Sequence, residues 1–251
     1  ERDDNYLSII KDDAGYIVLG SSVAAKVIPA SETVDGEKIS ISGSTESRSF
    51  IVKYNEDGKA KTGFKGASYR ETPTDIAKTD DGGFVVVGYY NWDMSINAEM
   101  TLSGEKIVLP VSGERDGYII KFNSNDKVEW AKGISSPRNT EFRKVYVGNG
   151  KILVGGSSKG DLTIDTKNGT YSKNTEYVAA LVVEYTSEGE IQYVGSFGNG
   201  AGGNAVVSIS ETEDGGCIVT GNATNRNEPA DIIIPADETV SGEEIVLKVG
   251  Y

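Results

Sequence analysis

One motif recurs four times and leaves few folds open to this chain. A turn rich in Asp, Asn and Gly leads into a short apolar run that closes on glycine. Its instances are Asp12-Asp13-Ala14-Gly15-Tyr16-Ile17-Val18-Leu19-Gly20, Asp80-Asp81-Gly82-Gly83-Phe84-Val85-Val86-Val87-Gly88, Gly148-Asn149-Gly150-Lys151-Ile152-Leu153-Val154-Gly155 and Asp214-Gly215-Gly216-Cys217-Ile218-Val219-Thr220-Gly221. The closing glycines lie 68, 67 and 66 residues apart. A fixed period of this size marks an array of like units, each too small to bury its own apolar face and completed by its neighbours.

The second repeat shows the unit most clearly. Strand A runs near Thr74 to Thr79, and Asp80-Asp81-Gly82-Gly83 supplies a hairpin turn. Strand B is Phe84 to Tyr90, followed by an excursion from Asn91 to about Arg115. Strand C is Asp116 to Phe122, the turn is Asn123 to Asp126, and strand D is Lys127 to Lys132. Strand C returns as Phe50–Tyr54 and Ala180–Tyr185, and strand A as Ala205–Ile209. Strand B is apolar at consecutive positions (Val85, Val86, Val87), which requires cover on both faces, whereas strand D sets Val128 and Trp130 against Lys127 and Glu129. Trp130 stands where Tyr193 stands in the next repeat and reads as packing.

The expected fold is therefore all-β: a β-propeller-like array of four units of about 67 residues, each four-stranded with an extra hairpin between strands B and C. The whole chain, 1–251, reads as one repeat domain with units at about 1–67, 68–135, 136–200 and 201–251. The last unit has A, B and the excursion but no C or D before Tyr251, so the expectation is a piece of a longer array, the alternative being a truncated fourth blade.

The excursion repeats too. Ile28-Pro29-Ala30-Ser31-Glu32-Thr33-Val34-Asp35-Gly36 continues to Ile41 and matches Ile234-Pro235-Ala236-Asp237-Glu238-Thr239-Val240-Ser241-Gly242, which continues to Leu247. The second repeat carries Glu99 to Leu109 with Ser103-Gly104 at its turn, and the third departs, with Asp161 to Asp165 and a turn near Asn168-Gly169. Together with the Asp-Gly-Gly turns and the Lys-[Tyr/Phe]-Asn close of strand C, this grammar resembles β-propeller-type repeats of large surface and secreted proteins of anaerobic Gram-positive and gut bacteria. The resemblance covers nearly the whole chain. It implies an extracellular or cell-surface setting and an adhesive or structural role, and it brings no catalytic residues.

Composition narrows the chemistry. The net charge is −13, with 25 basic and 38 acidic residues, which disfavours nucleic acid and anionic membrane as partners. There is no histidine, so the commonest general base and metal ligand is missing. Cys217 is the one cysteine and is expected to pack within its strand. No apolar run reaches the roughly 18–20 residues that span a bilayer. The charged opening Glu1 to Asn5 is no leader peptide, and a processed secreted protein would begin in the same way. The Asp-Asp-Gly-Gly turns invite calcium, but turn chemistry accounts for both residue types, and the oxygens lack the alternate spacing of a calcium loop. Glu184 replaces Lys53 and Lys121 within strand C, and that position reads as a solvent-facing slot. Lys53, Lys59, Lys61 and Lys65, interrupted by Glu56 and Asp57, suit a solvated strand edge. No catalytic set, metal site or cofactor is expected.

The candidate binding residues are Tyr89, Tyr90, Asn91, Trp92 and Asp93, where strand B gives way to the excursion and the repeats stop agreeing. Aromatic faces beside an amide and an acid suit sugars and protein partners alike. The expected function is a non-enzymatic scaffold or adhesion module of a bacterial surface protein that holds a glycan or a host or cell-surface protein. Further repeats of the same parent chain or self-association are expected partners, and neither nucleic acid nor membrane insertion is. The alternatives are a glycan-active hydrolase on the same scaffold and a structural spacer or self-assembling repeat.

Overall fold

A computed structural model describes residues 5–43, 48–66, 71–198, 203–224, 232–234, 243 and 245–247. Strands account for 67% of the protein and no α-helix occurs among the described residues, so the core is built by strand pairing and sheet packing alone. The first repeat forms β1 (Asn5–Asp12), β2 (Gly15–Ser22), the short pair β3 (Lys26–Ile28) and β4 (Ile39–Ile41), then β5 (Arg48–Tyr54) and β6 (Ala60–Lys65). The second forms β7 (Glu71–Lys78), β8 (Phe84–Tyr90), the short pair β9 (Met94–Ile96) and β10 (Ile107–Leu109), then β11 (Asp116–Phe122) and β12 (Val128–Ile134). The third forms β13 (Asn139–Gly148), β14 (Lys151–Thr166), β15 (Gly169–Thr186) and β16 (Ile191–Phe197). β17 (Gly203–Glu211), β18 (Cys217–Thr224), β19 (Ile232–Ile234) and β20 (Ile245–Leu247) follow.

The sheets repeat as the sequence does. Their orders are β1-β2-β5-β6, β7-β8-β11-β12 and, in the third repeat, β13-β14-β15-β16. β17 pairs antiparallel with β18 and touches β15 through one parallel bridge, Val178 to Gly203. Each of the first three repeats thus lays its strands side by side in chain order, with the excursion inserted between the two central strands. That position explains the unbroken apolar runs: β8 and β11 are buried almost throughout, while the edge strands β7 and β12 are buried only at some positions. Lys61 and Lys65 are exposed on β6, an edge of the first sheet, but Lys53 lies on the central strand β5, where its largely buried side chain pairs with Asp126 and is no solvated edge.

Contacts divide the chain into two compact units, Glu1–Val111 with Tyr118–Gly133, and Ser112–Gly117 with Ile134–Tyr251. The first unit is centred on Leu19, Ile51, Phe84, Tyr90, Tyr118 and Phe122. Phe84 and Phe122 stack at 4.7 Å, and Phe64 tilts against Phe122 at 6.2 Å. The second unit has a cluster of Leu153, Val182, Val206 and Ile209.

The closing glycine of the motif has a physical cause. It faces a β-bulge in strand A, which brings a backbone carbonyl where a Cβ would stand. A Cβ on Gly88 would lie 2.2 Å from the Thr72 carbonyl, and one on Gly221 would lie 2.5 Å from that of Ala205. In the third repeat the residue in this position is Gly156, whose Cβ would meet the Glu141 carbonyl at 2.0 Å. The bulge there falls between Phe142 and Lys144, one residue out of step with the second repeat's. The double glycine Gly155-Gly156 accommodates the slip.

The excursions are hairpins as expected, with Gly36 and Gly104 at positive φ in their turns. Each docks on strand D of its own repeat. Thr33 bridges Ala60 and Thr101 bridges Val128, with Val34 N–H donating to Ala60 O at 2.9 Å and Leu102 N–H to Val128 O at 2.8 Å. The third repeat lacks Ile-Pro-Ala, and its excursion is one long hairpin continuing β14 and β15. Even so, Lys167 N–H donates to Ile191 O at 2.9 Å, so the dock survives the change of sequence.

Two expectations about side chains fail. The charged slot in strand C is not solvent-facing: Lys121 is 2% exposed, held by Asp81 from the A–B turn and Glu129 from β12. The continuous burial of a central strand takes the lysine inside, and two carboxylates make that tolerable. Cys217 is exposed rather than packed. Among the described residues, no strand pairs the far edge of β18, so the residues that are covered in β2, β8 and β14 lie open in it.

Candidate functional site

In the turns before strand B, Asp81 and Asp214 are each taken up by the turn itself. In the second repeat Asp81 accepts from the Thr79 hydroxyl at 2.6 Å and from Gly83 N–H at 3.1 Å, and its other oxygen takes Lys121. Burial raises the Asp81 pKa, but the bonds from Lys121, Thr79 and Gly83 outweigh it and hold the carboxyl at about 2. Asp214 makes the same contacts with Thr212 and Gly216, which lower its pKa. Among the described residues, no three metal-ligating side chains converge.

The junction after strand B is different. In the second repeat Tyr90 ends β8 with its side chain inward, 2% exposed. Its hydroxyl donates to Pro110 O at 3.2 Å, and its ring tilts against Tyr118 at 6.4 Å. Three residues on, Asp93 accepts from Val111 N–H at 2.9 Å and ties the outgoing chain to the returning one. Met94 and Ile96 then turn into the core on β9. Between these anchors Asn91 and Trp92 face solvent, Trp92 at 57% exposure, and Tyr89 is half-buried on β8. The five expected residues therefore divide: Tyr90 and Asp93 hold the loop, while Tyr89, Asn91 and Trp92 form its outward surface.

In the third repeat the corresponding stretch is Ser158-Lys159-Gly160, and here the junction opens a cleft. Pairing of β14 with β15 slips between Ser158 and Gly160, where Gly160 takes a φ of 99°. Beyond the slip, Gly160 faces Thr175 and Asp161 faces Asn174. The Thr175 hydroxyl donates to Gly160 O at 2.9 Å, and the Ser136 hydroxyl donates to Lys159 O at 2.7 Å, fixing both walls. The cleft has a volume of about 590 Å³, and Arg138, Lys159, Asp161, Asn174, Glu176 and Tyr177 give it its polar lining. The Asn174 amide donates to Asp161.

The cleft sets two cations, Arg138 and Lys159, beside two carboxylates, Asp161 and Glu176. Among the described residues, the half-buried Lys159 ammonium makes no ion pair or hydrogen bond, and neither do the exposed Arg138 guanidinium and Glu176 carboxylate. Other half-buried lysines are engaged: Lys53 with Asp126, Lys78 with Asp13, Lys151 with Glu184, and Lys173 with the Ser196 carbonyl. Sequence reading passes over this site because it spreads across residues 137–177 and because the third repeat fits the repeat pattern least well. The available signal was Gly160 within an otherwise continuous strand, beside a lysine with no acid at its pairing positions.

Burial and the nearby Glu184 carboxylate push the Cys217 thiol pKa up, against a smaller opposing effect of Lys151. Compared with known proteins, the chain matches no family model and no curated sequence.

Proposed function

We propose that this chain is a non-enzymatic extracellular binding module of a bacterial surface protein. Its sheets would be blades of a propeller-type array, and its ligand a glycan or a protein taken up at the junctions between strand B and the excursion. The repeat grammar supports the setting, and the chain-order sheets support the architecture. The observation that carries the binding reading is Trp92, a largely exposed indole on a loop whose flanking Tyr90 and Asp93 are both locked. An aromatic held in place loses little conformational freedom on contact, which is the property of an interface anchor.

The test is a glycan array together with a panel of mucins and matrix proteins, probed with the wild type and with Trp92→Ala. A ligand whose affinity drops by tenfold or more in the variant supports the reading, since an anchor residue contributes about 2 kcal/mol or more. No binding across the panel would leave the spacer alternative. A self-assembling repeat draws its own support from apolar side chains left open on β1 (Tyr6, Ile9) and on β17 and β18 (Val207, Ile218). A mass that rises with concentration in light scattering is its signature. The hydrolase alternative gains nothing from Glu184, which is engaged by Lys151 at 3.7 Å.

A further inference from the structure

The cleft of the third repeat combines four properties. It is roomy, at about 590 Å³, within the range of roughly 300–1,000 Å³ typical of small-ligand sites. It is open and polar, with donors from Arg138, Lys159 and Asn174 and acceptors from Asp161 and Glu176. It carries one aromatic face, Tyr177, 39% exposed. Its two cations share the lining with Asp161 and Glu176, yet among the described residues neither cation forms an ion pair, whereas Lys53, Lys78 and Lys151, also part-buried, each do. Cations that are not tied to a carboxylate keep their N–H donors available for an anionic ligand.

We propose that this cleft is a binding subsite for an acidic saccharide, one whose sugar ring carries a carboxylate. Arg138 and Lys159 take the carboxylate, the guanidinium through paired N–H donors and the ammonium as a point charge. Tyr177 lies along the face of the ring. Glu176 and Asp161 accept from ring hydroxyls, and Asn174 both donates and accepts. A sugar needs this mixture of donors and acceptors, whereas a simple anion would use the cations and be repelled by the two acids. The inference deepens the binding-module reading and rests on it, but it concerns a different junction from Trp92, so the two can fail separately.

The experiment is isothermal titration of the full chain with an oligogalacturonate of four to six residues and a hyaluronan tetrasaccharide. A neutral oligosaccharide of matched length and an oligoglutamate peptide serve as comparisons. The expected result is binding of at least one uronate ligand, weakened by roughly tenfold or more in Arg138→Ala and in Lys159→Gln, and weakened by added salt. Lys61→Gln, an exposed lysine on β6 outside both junctions, should leave that binding unchanged. Circular dichroism of each variant separates a lost ligand contact from a lost fold, and Lys159→Arg, which keeps the charge, should retain most of the affinity. Binding of the neutral sugar as tight as the uronate would overturn the proposal, as would equal or tighter binding of the peptide. So would indifference to both cation variants, or no binding of either uronate while Trp92-dependent binding to another ligand persists.

Discussion

The second and third repeats share one backbone plan and fill it in opposite ways. Both lay four strands side by side in chain order, and both dock the excursion on strand D through the same hydrogen bond, Leu102 N–H to Val128 O in one and Lys167 N–H to Ile191 O in the other. Behind the A–B turn, however, one carries Phe84, fully buried and stacked on Phe122, and the other carries Lys151. In strand C one carries Lys121, sunk between two carboxylates, and the other Glu184, paired with that same Lys151. The hydrogen-bonded frame is what repeats. The side chains can be exchanged so long as they change together, an aromatic with a buried cation on one side, a half-exposed ion pair on the other.

This comparison predicts unequal costs for equivalent substitutions. The largest is expected at the first position. Phe84→Ala empties a site with no solvent exposure and removes a stacked neighbour of Phe122, at a cost of about 3–5 kcal/mol. Lys151→Ala at the equivalent position should cost no more than about 1 kcal/mol, because its pair with Glu184 is partly exposed. Urea denaturation of the two variants measures the difference, and equal losses would mean that the repeats are not energetically distinct.

Next in size is the strand C pair. Lys121→Ala leaves Asp81 and Glu129 facing each other without a cation, and about 2–4 kcal/mol is expected, below the full cost of a buried pair because Asp81 is half-exposed. Glu184→Gln should cost less than about 1 kcal/mol. The same triad sets a pH dependence. The Asp81 carboxyl is held at about 2 against an ordinary 3.8, so its stabilisation is complete above the ordinary value and is lost as pH falls towards 2. Exposure of the group limits the effect to about 1 kcal/mol. Lys121 is desolvated, which lowers its pKa, but Asp81 and Glu129 outweigh that and raise it above the ordinary 10.5. Its contribution is therefore present below 10.5 and is lost as pH rises through the higher folded value. Acid titration of stability in Asp81→Asn should lack the low-pH loss that the wild type shows; an unchanged acid limb would place the effect elsewhere.

The contrast also shows what sequence can carry. Strands β8 and β11 were legible to the residue, because a central strand covered on both faces must be apolar throughout and the turns beside it need Asp, Asn or Gly. The excursion hairpins were legible from their turn residues, and the long hairpin of the third repeat from Asn168-Gly169. The inward lysine was not, since a charge inside an apolar run looks the same whether it points to water or to two distant carboxylates; Glu129 is eight residues from Lys121 and Asp81 is forty. The closing glycine was misplaced by one residue in the third repeat, because a bulge shifts the backbone without changing the apolar pattern. At the candidate site, the aromatic cluster Tyr89 to Trp92 was visible as residue types. Which ring points outward depends on the pleat and on Pro110 and Val111, nearly twenty residues away. The cleft around Lys159 depends on a register slip, and no residue type announces one.

The smallest effect tests whether the frame or its filling sets the C–D turn. Gly58 and Gly189 occupy a left-handed position in this turn, and Asp126 occupies it in the second repeat, with a φ of 63°. Aspartate tolerates that conformation better than most residues, at a cost of about 1 kcal/mol relative to glycine. Asp126 also forms an ion pair with Lys53, whose ammonium lies 5.3 Å from the Phe84 ring, so the strained turn of one sheet holds a side chain from the sheet of the preceding repeat. If that contact is why glycine is absent here, Asp126→Gly should be nearly neutral, relief of strain offsetting the lost pair. Asp126→Asn, which keeps the conformation and removes the charge, should destabilise by about 0.5–1 kcal/mol. A double-mutant cycle of Asp126→Asn with Lys53→Met should then return a coupling of the same size. Zero coupling, or a gain of a full 1 kcal/mol in Asp126→Gly, would mean that the turn tolerates aspartate without using it, and that the frame alone decides this position.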